Sequence, residues 1–134
     1  METPELRVPI ARDADVVTAR QRGRELAAAV GFVRADLTMI ATAISEVARN
    51  ILVYAQRGEI ILHPVTRGNR TGISVIAVDR GPGIRDIGQA MQDGFSTANS
   101  LGLGLPGAKR LMDDFEIISE LGKGTQITMR KWLA

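Results

Sequence analysis

DRGPGI (residues 79–84) carries an acidic side chain out of an apolar run and into a glycine-rich turn. The run before it, residues 72–78, is typical of a buried strand. Gly81 and Gly83 hold alternate positions of the turn, where a missing Cβ lets the backbone approach another group closely. Asp79 therefore enters a largely buried position. An unpaired carboxylate is costly there, so a hydrogen-bond donor is expected beside it. The alternative is a plain turn with a capping aspartate.

Composition limits the classes of protein to which this chain can belong. Its 134 residues, 45% hydrophobic and 24% charged, predict a single domain over residues 1–134. The net charge of +2 does not require nucleic acid. The absence of cysteine excludes disulfides, thiolate metal sites and a cysteine nucleophile. No apolar run approaches the roughly 20 residues that span a bilayer, and no signal peptide is evident. We therefore expect a cytoplasmic protein without a membrane or nucleic-acid partner.

Hydrophobic periodicity predicts alternating strands and helices. Pro9 favours an edge position or a bulge for the first strand. Asp13 or Asp15 is the expected cap of the first helix, and Gly31 its end. Residues 81–100 read as a long loop that forms a lid. The predicted strands are 6–10, 59–65, 72–78, 115–121 and 125–132, and the later helices are 36–54, which Arg57-Gly58 ends, and 103–112.

Two polar side chains stand four residues apart on the helix predicted over residues 36–54. Glu46 and Asn50 lie roughly opposite its apolar stripe. A solvated helix face is one interpretation, although apolar residues share that face and Asn is a poor residue for a helix interior. In the other interpretation, Asn50 offers a neutral oxygen that suits Mg²⁺. Glu46 is then placed to accept a proton.

A second glycine cluster, GLGLPG (residues 102–107), opens the predicted helix 103–112. Free N–H groups and the helix dipole favour an anion there, which predicts a phosphate cradle. The cluster lacks the acidic partner of a dinucleotide-binding fingerprint and the G-K-[ST] ending of a Walker A loop. Lys109 and Arg110, one turn into the helix, either neutralise phosphate or are simply exposed. The only histidine, His63, has no histidine partner and reads as structural or surface-exposed.

The chain carries four motifs in order: E-x-x-x-N, D-x-G-x-G, G-x-G and G-x-G-T (residues 122–125). Together they resemble the four nucleotide-binding boxes of the GHKL ATPase superfamily. The resemblance implies an α/β two-layer sandwich: a mixed, mostly antiparallel sheet covered on one face by helices, with ATP and Mg²⁺ held between helices and lid. Asp79 would accept from the adenine amino group. The implied catalytic residues are Glu46, Lys109 and Arg110. The implied cofactor-binding residues are Asn50 (also the metal ligand), Asp79, Gly81, Gly83, Ile84, Thr97, Gly102, Leu103, Gly104, Leu105 and Thr125.

Chain length narrows the choice within the superfamily. Gyrase- and chaperone-like members need transducer domains, for which 134 residues leave no room. Histidine kinases carry a phosphoacceptor helix, whereas the only histidine here, His63, lies in a predicted strand. The run GFST (residues 94–97) leading into LGLGLPGAKRLMDDFEI resembles the stressosome switch protein serine kinases. This implies phosphorylation of STAS-domain scaffold and antagonist proteins, and then activation of a PP2C-type phosphatase or another downstream regulator. The alternatives are an anti-sigma factor kinase that binds a sigma factor, and a binding module that uses nucleotide only to switch partners.

Overall fold

A computed structural model describes residues 5–82 and 104–134, and this part of the chain is a sheet with helices on one face. The predictions for Gly83, Ile84, Thr97, Gly102 and Leu103, and nearly all of the predicted lid, lie outside the described residues. The described elements are β1 (Leu6–Ile10), α1 (Asp13–Val30), α2 (Arg34–Tyr54), β2 (Gly58–Arg67), β3 (Arg70–Asp79), α3 (Gly104–Leu111), β4 (Asp114–Glu120) and β5 (Gly124–Trp132).

The sheet has the strand order β1-β2-β3-β5-β4. Every pairing among the described strands is antiparallel, so the parallel pair that a mixed sheet would allow does not occur there. Pro9 lies on the edge strand β1, as expected for a residue that cannot donate to a neighbouring strand. The predicted α/β two-layer architecture is confirmed. The order also brings the end of β3 beside the start of β5, with Asp79 opposite Thr125.

The core lies between one face of the sheet and the helices, and α2 is its central helix. Ile44 and Val47 of α2 are fully buried, as are Leu62 and Val75 on the facing strands. Helix α2 is long and apolar enough to pass a composition test for a membrane span, but more than half of it is buried within the protein. Packing in the core therefore accounts for its apolar character.

The starts of two helices differ from the sequence prediction. Helix α1 has Arg12 at its N-cap, not an aspartate. Asp15 instead caps from inside the first turn, since its Oδ2 accepts the N–H groups of Ala11 (2.8 Å) and Arg12 (3.2 Å). Helix α2 begins at Arg34, two residues before the predicted start, and ends at Tyr54 as predicted. At this end the N–H groups of Ala55 and Gln56 both bond the Ile51 carbonyl oxygen, and the chain then enters β2 at Gly58.

The β2–β3 hairpin is longer than predicted. Its pairing continues to Arg67 opposite Arg70, so only two residues form the turn. Both strands gain residues because Thr66 and Thr71, β-branched residues suited to strands, also pair. His63 is half-buried on β2, and within the described part of the chain its Nδ1 has no hydrogen-bond partner. This position agrees with the structural interpretation of His63.

Candidate functional site

Asp79 ends β3 as a buried carboxylate, and its two oxygens have different surroundings. Oδ1 accepts the backbone N–H groups of Gly81 (3.0 Å) and Thr125 (3.2 Å). Oδ2 has no hydrogen bond from residues 5–82 or 104–134. The backbone therefore fixes the carboxylate and leaves one oxygen able to accept a hydrogen bond from a ligand.

Two glycines allow the close packing around Asp79. A Cβ at Gly81 would overlap Ala55, the residue that follows α2. Gly124 has φ of +118°, and a Cβ there would overlap the Asp79 carbonyl oxygen. The turn after Asp79 is thus in contact with α2 on one side and with β5 on the other. The sequence pointed to the first of these glycines, whereas the second contact follows from strand pairing.

Thr125 lies opposite Asp79 in the sheet and is 4% exposed. Its hydroxyl oxygen is 2.8 Å from that of Ser119 on β4, and either hydroxyl can donate. Sequence reasoning identified Thr125 but missed Ser119. No motif marks Ser119, and only the pairing of β4 with β5 brings it here.

Glu46 is a buried carboxylate at the N-terminus of α3. It is 5% exposed, and its Oε2 accepts the N–H of Gly104, the first residue of α3, at 2.7 Å. Its Oε1 accepts from Nη1 of Arg49 at 2.9 Å. A helix N-terminus favours negative charge, so this position suits the carboxylate and also suits a phosphate. The interpretation of a solvated helix face is therefore wrong for Glu46.

Asn50 lies one helical turn beyond Glu46 and is 9% exposed. Within the described residues its side-chain amide has no hydrogen bond, so its oxygen is available to a ligand. Ala55, the contact of Gly81, follows Glu46 by nine positions, which is about 13.5 Å along the helix axis. Helix α2 therefore contacts the start of α3 through Glu46, and the residue after its end contacts the turn after Asp79. That length suits an extended nucleoside triphosphate.

Three further residues of α3 were predicted to belong to the site: Lys109, Arg110 and Leu105. Lys109 and Arg110 are exposed in the last turn of α3, because the helix begins at Gly104. They are not beside its N-terminus, and their catalytic assignment stays a prediction. The Leu105 side chain is buried in the core, so only its backbone can face a nucleotide. Among the described residues, no cluster of three or more His, Cys, Asp or Glu could hold a metal ion.

Two further residues next to the predicted site were not assigned a role from the sequence. Arg49 pairs with Glu46, and the three-residue spacing on a helix was a signal that could have identified it. Tyr54 follows Asn50 by one turn at the end of α2. Burial raises the pKa of the Tyr54 hydroxyl above its ordinary value.

The chain is similar to known proteins along most of its length. A model of the histidine kinase-like ATPase domain family matches residues 10–131. The chain is 51% identical over 126 residues to serine/threonine-protein kinase RsbT of Bacillus subtilis, across 94% of this chain and 95% of that protein. It is 35% identical over 104 residues to anti-sigma F factor of a Thermoanaerobacter species, across 73% and 71% of the two chains.

A solved structure of the RsbU and RsbW domains of a Mycobacterium tuberculosis protein aligns with a TM-score of 0.64 and 25% identity. The alignment covers 98% of this chain and 34% of that longer chain, so this chain spans about a third of it. The matches confirm the expected fold and the expected ATP-dependent serine/threonine-protein kinase class. With its matched residues 10–131, the chain belongs to the histidine kinase-like ATPase domain family.

Proposed function

We propose that this chain transfers the γ-phosphate of ATP to a serine or threonine hydroxyl on STAS-domain scaffold and antagonist proteins of a stress-signalling pathway. The observation that carries the proposal is the 2.7 Å hydrogen bond from Gly104 N–H to Glu46. It places a buried carboxylate beside the helix end at which phosphates are expected to bind. Glu46, the proposed proton acceptor, and the γ-phosphate would then lie beside each other at the start of α3.

Recognition of adenine is assigned to Asp79. Its open Oδ2 accepts from the exocyclic amino group of the base, while Oδ1 stays bonded to Gly81 and Thr125. Gly81 and Gly124 allow the turn to pack against Ala55 and the Asp79 carbonyl oxygen, which holds the carboxylate in position for the ring. The Thr125 hydroxyl, bonded to Ser119, completes this end of the site directly or through water.

The phosphates are assigned to the N-terminus of α3, where the helix dipole favours anions. Asn50 would hold Mg²⁺ through its amide oxygen. The fit is reasonable because that amide has no partner among the described residues, and Mg²⁺ commonly takes one protein ligand together with phosphates and water. When bound, Mg²⁺ supplies charge neutralisation at the phosphate oxygens. Lys109 and Arg110, in the last turn of α3, keep their proposed catalytic role in neutralising phosphate charge.

In the transfer step, the acceptor hydroxyl oxygen forms a bond to the γ-phosphorus as the bond from that phosphorus to the β–γ bridging oxygen breaks. ADP leaves with the electron pair of that bond, and Glu46 accepts the hydroxyl proton. Catalysis of this kind depends mostly on positioning and charge stabilisation. The contacts of Glu46 with two different helices are suited to positioning.

The partner assignment is supported by the similarity to the Bacillus subtilis kinase along almost the whole chain. After release from STAS-domain proteins, the chain would activate a PP2C-type phosphatase or another downstream regulator. Residues 1–134 would act as one domain in the cytoplasm, without nucleic acid or membrane. A second candidate is an anti-sigma factor kinase that binds a sigma factor, which the 35% identity to an anti-sigma F factor favours.

Incubation of the protein with labelled ATP, Mg²⁺ and purified STAS-domain or sigma-factor partners tests the proposal. Label on a STAS serine or threonine is the expected result. A stable complex with sigma factor would favour the second candidate. Nucleotide binding without transfer to any partner would contradict the kinase proposal and favour a nucleotide-dependent binding module.

A further inference from the structure

We infer that Arg49 is a positioning residue for phosphoryl transfer, which holds the Glu46 carboxylate in place beside α3. The inference rests on the proposed role of Glu46 as the base. Glu46 receives one hydrogen bond on each oxygen, from Arg49 Nη1 at 2.9 Å and from Gly104 N–H at 2.7 Å. One donor is on α2 and the other begins α3, so the two together fix the orientation of the carboxylate between the helices.

The two members of the ion pair differ in burial. The Glu46 side chain is 4% exposed, whereas the Arg49 side chain is 45% exposed. An ion pair of this spacing on an open helix surface contributes little. Here the carboxylate is out of water and the two donors are its hydrogen-bond partners among the described residues. A buried carboxylate that loses one of two donors must move or find another partner.

The charges near α3 explain why a cation is needed next to Glu46. The proposed reaction brings a triphosphate to the N-terminus that the carboxylate already contacts. Two anions at one helix end repel each other, and the bound phosphate would push Glu46 away. The positive charge of the Arg49 guanidinium offsets part of this repulsion. Arg49 thereby lets Glu46 remain beside the transferred group.

Arg49→Met keeps the alkyl stem and removes the charge, whereas Arg49→Lys keeps a charge. The readouts are single-turnover transfer to the STAS-domain partner and calorimetric affinity for ADP. Arg49→Met should slow transfer about tenfold, as expected for one hydrogen bond to a charged group, and change ADP affinity by less than about twofold. Arg49→Lys should recover most of the rate. Arg20→Met, at an exposed position on α1, is the matched control and should transfer at the wild-type rate.

A double-mutant cycle with Glu46→Gln decides whether Arg49 acts through Glu46. In the Glu46→Gln background, Arg49→Met should cause no further loss of rate. Equal slowing in both backgrounds would overturn the inference, and so would weakened ADP binding or faster transfer in Arg49→Met. Arg49→Gln provides the same comparison if Arg49→Met does not fold. A wild-type rate in Glu46→Gln alone would instead refute the proposed base, so the two failures are distinguishable.

Discussion

The backbone N–H of Thr125 donates to Oδ1 of Asp79 across the β3–β5 pair, at 3.2 Å. This contact joins two motifs that are 46 residues apart in the sequence. Gly81 donates to the same oxygen, so the backbone holds Oδ1 in place. Oδ2 has no hydrogen bond from the described residues and can accept one from a ligand. The recognition of a ligand by Asp79 can therefore be tested without removing its structural contacts.

Asp79→Asn should weaken adenine-nucleotide affinity about tenfold to hundredfold, the effect of one charge-assisted hydrogen bond. If the amide oxygen keeps the contacts of Oδ1, the NH₂ group replaces Oδ2 and presents donors to the adenine amino group. Calorimetric titration with ADP measures the effect. Asp113→Asn is the matched control, because Asp113 also accepts a backbone N–H of β5, that of Trp132 at 2.8 Å. Unchanged ADP affinity in a folded Asp79→Asn protein would remove Asp79 from the site.

Asn50→Ala should lower the affinity for ADP about tenfold in the presence of Mg²⁺, the effect of losing one favourable polar contact. Affinity measured in a chelator should stay the same, since Asn50 is proposed to act only through the ion. Phosphoryl transfer should fall together with the Mg²⁺-dependent affinity. Asn69→Ala, in the exposed β2–β3 turn, serves as the control. An equal loss of affinity with and without Mg²⁺ would show that Asn50 contacts the nucleotide or supports the fold.

Gly124→Ala should destabilise the fold by about 3 kcal/mol or more. The backbone conformation at φ of +118° disfavours a side chain, and the new Cβ would overlap the Asp79 carbonyl oxygen. Gly68→Ala is the control: its φ is +60° and nothing lies within 4 Å of the added Cβ. That change should cost about 1 kcal/mol. Denaturant unfolding compares the two, and similar losses would mean that the contact with Asp79 contributes little.

Tyr54 should titrate above its ordinary pKa of 10.0 in the folded protein, because burial disfavours the tyrosinate. The folded state then binds the proton more tightly than the unfolded state, so stability falls as pH rises. This contribution is complete below about pH 10 and is lost as pH rises through the folded-state pKa. Since Tyr54 is the only tyrosine, tyrosinate absorbance isolates it. Tyr54→Phe should remove this part of the alkaline loss of stability. Identical titrations of native and unfolded protein would contradict the prediction.

The order of elements could be predicted from the sequence because it depends on local chemistry. The apolar run around Val75 and the helical spacing around Ile44 required a strand and a helix that face one core. The glycine boxes identified Asp79 and Gly81 for the same reason, since a tight turn after a strand limits which residues fit. Boundaries were less certain. Helix α2 begins at Arg34, after the extended Val33, two residues before the start that the periodicity indicates.

Only the tertiary structure brought the site together. Glu46 meets Gly104 across 58 residues, and this contact depends on how α3 packs against α2. Asp79 meets Thr125 because β5 pairs in one register with β3. The same packing buries Glu46 and gives Arg49 a charged partner shielded from water. Sequence determines the local conformation and chemistry of each segment. Burial and pairing between distant segments depend on register and helix packing, which form only when the whole core assembles.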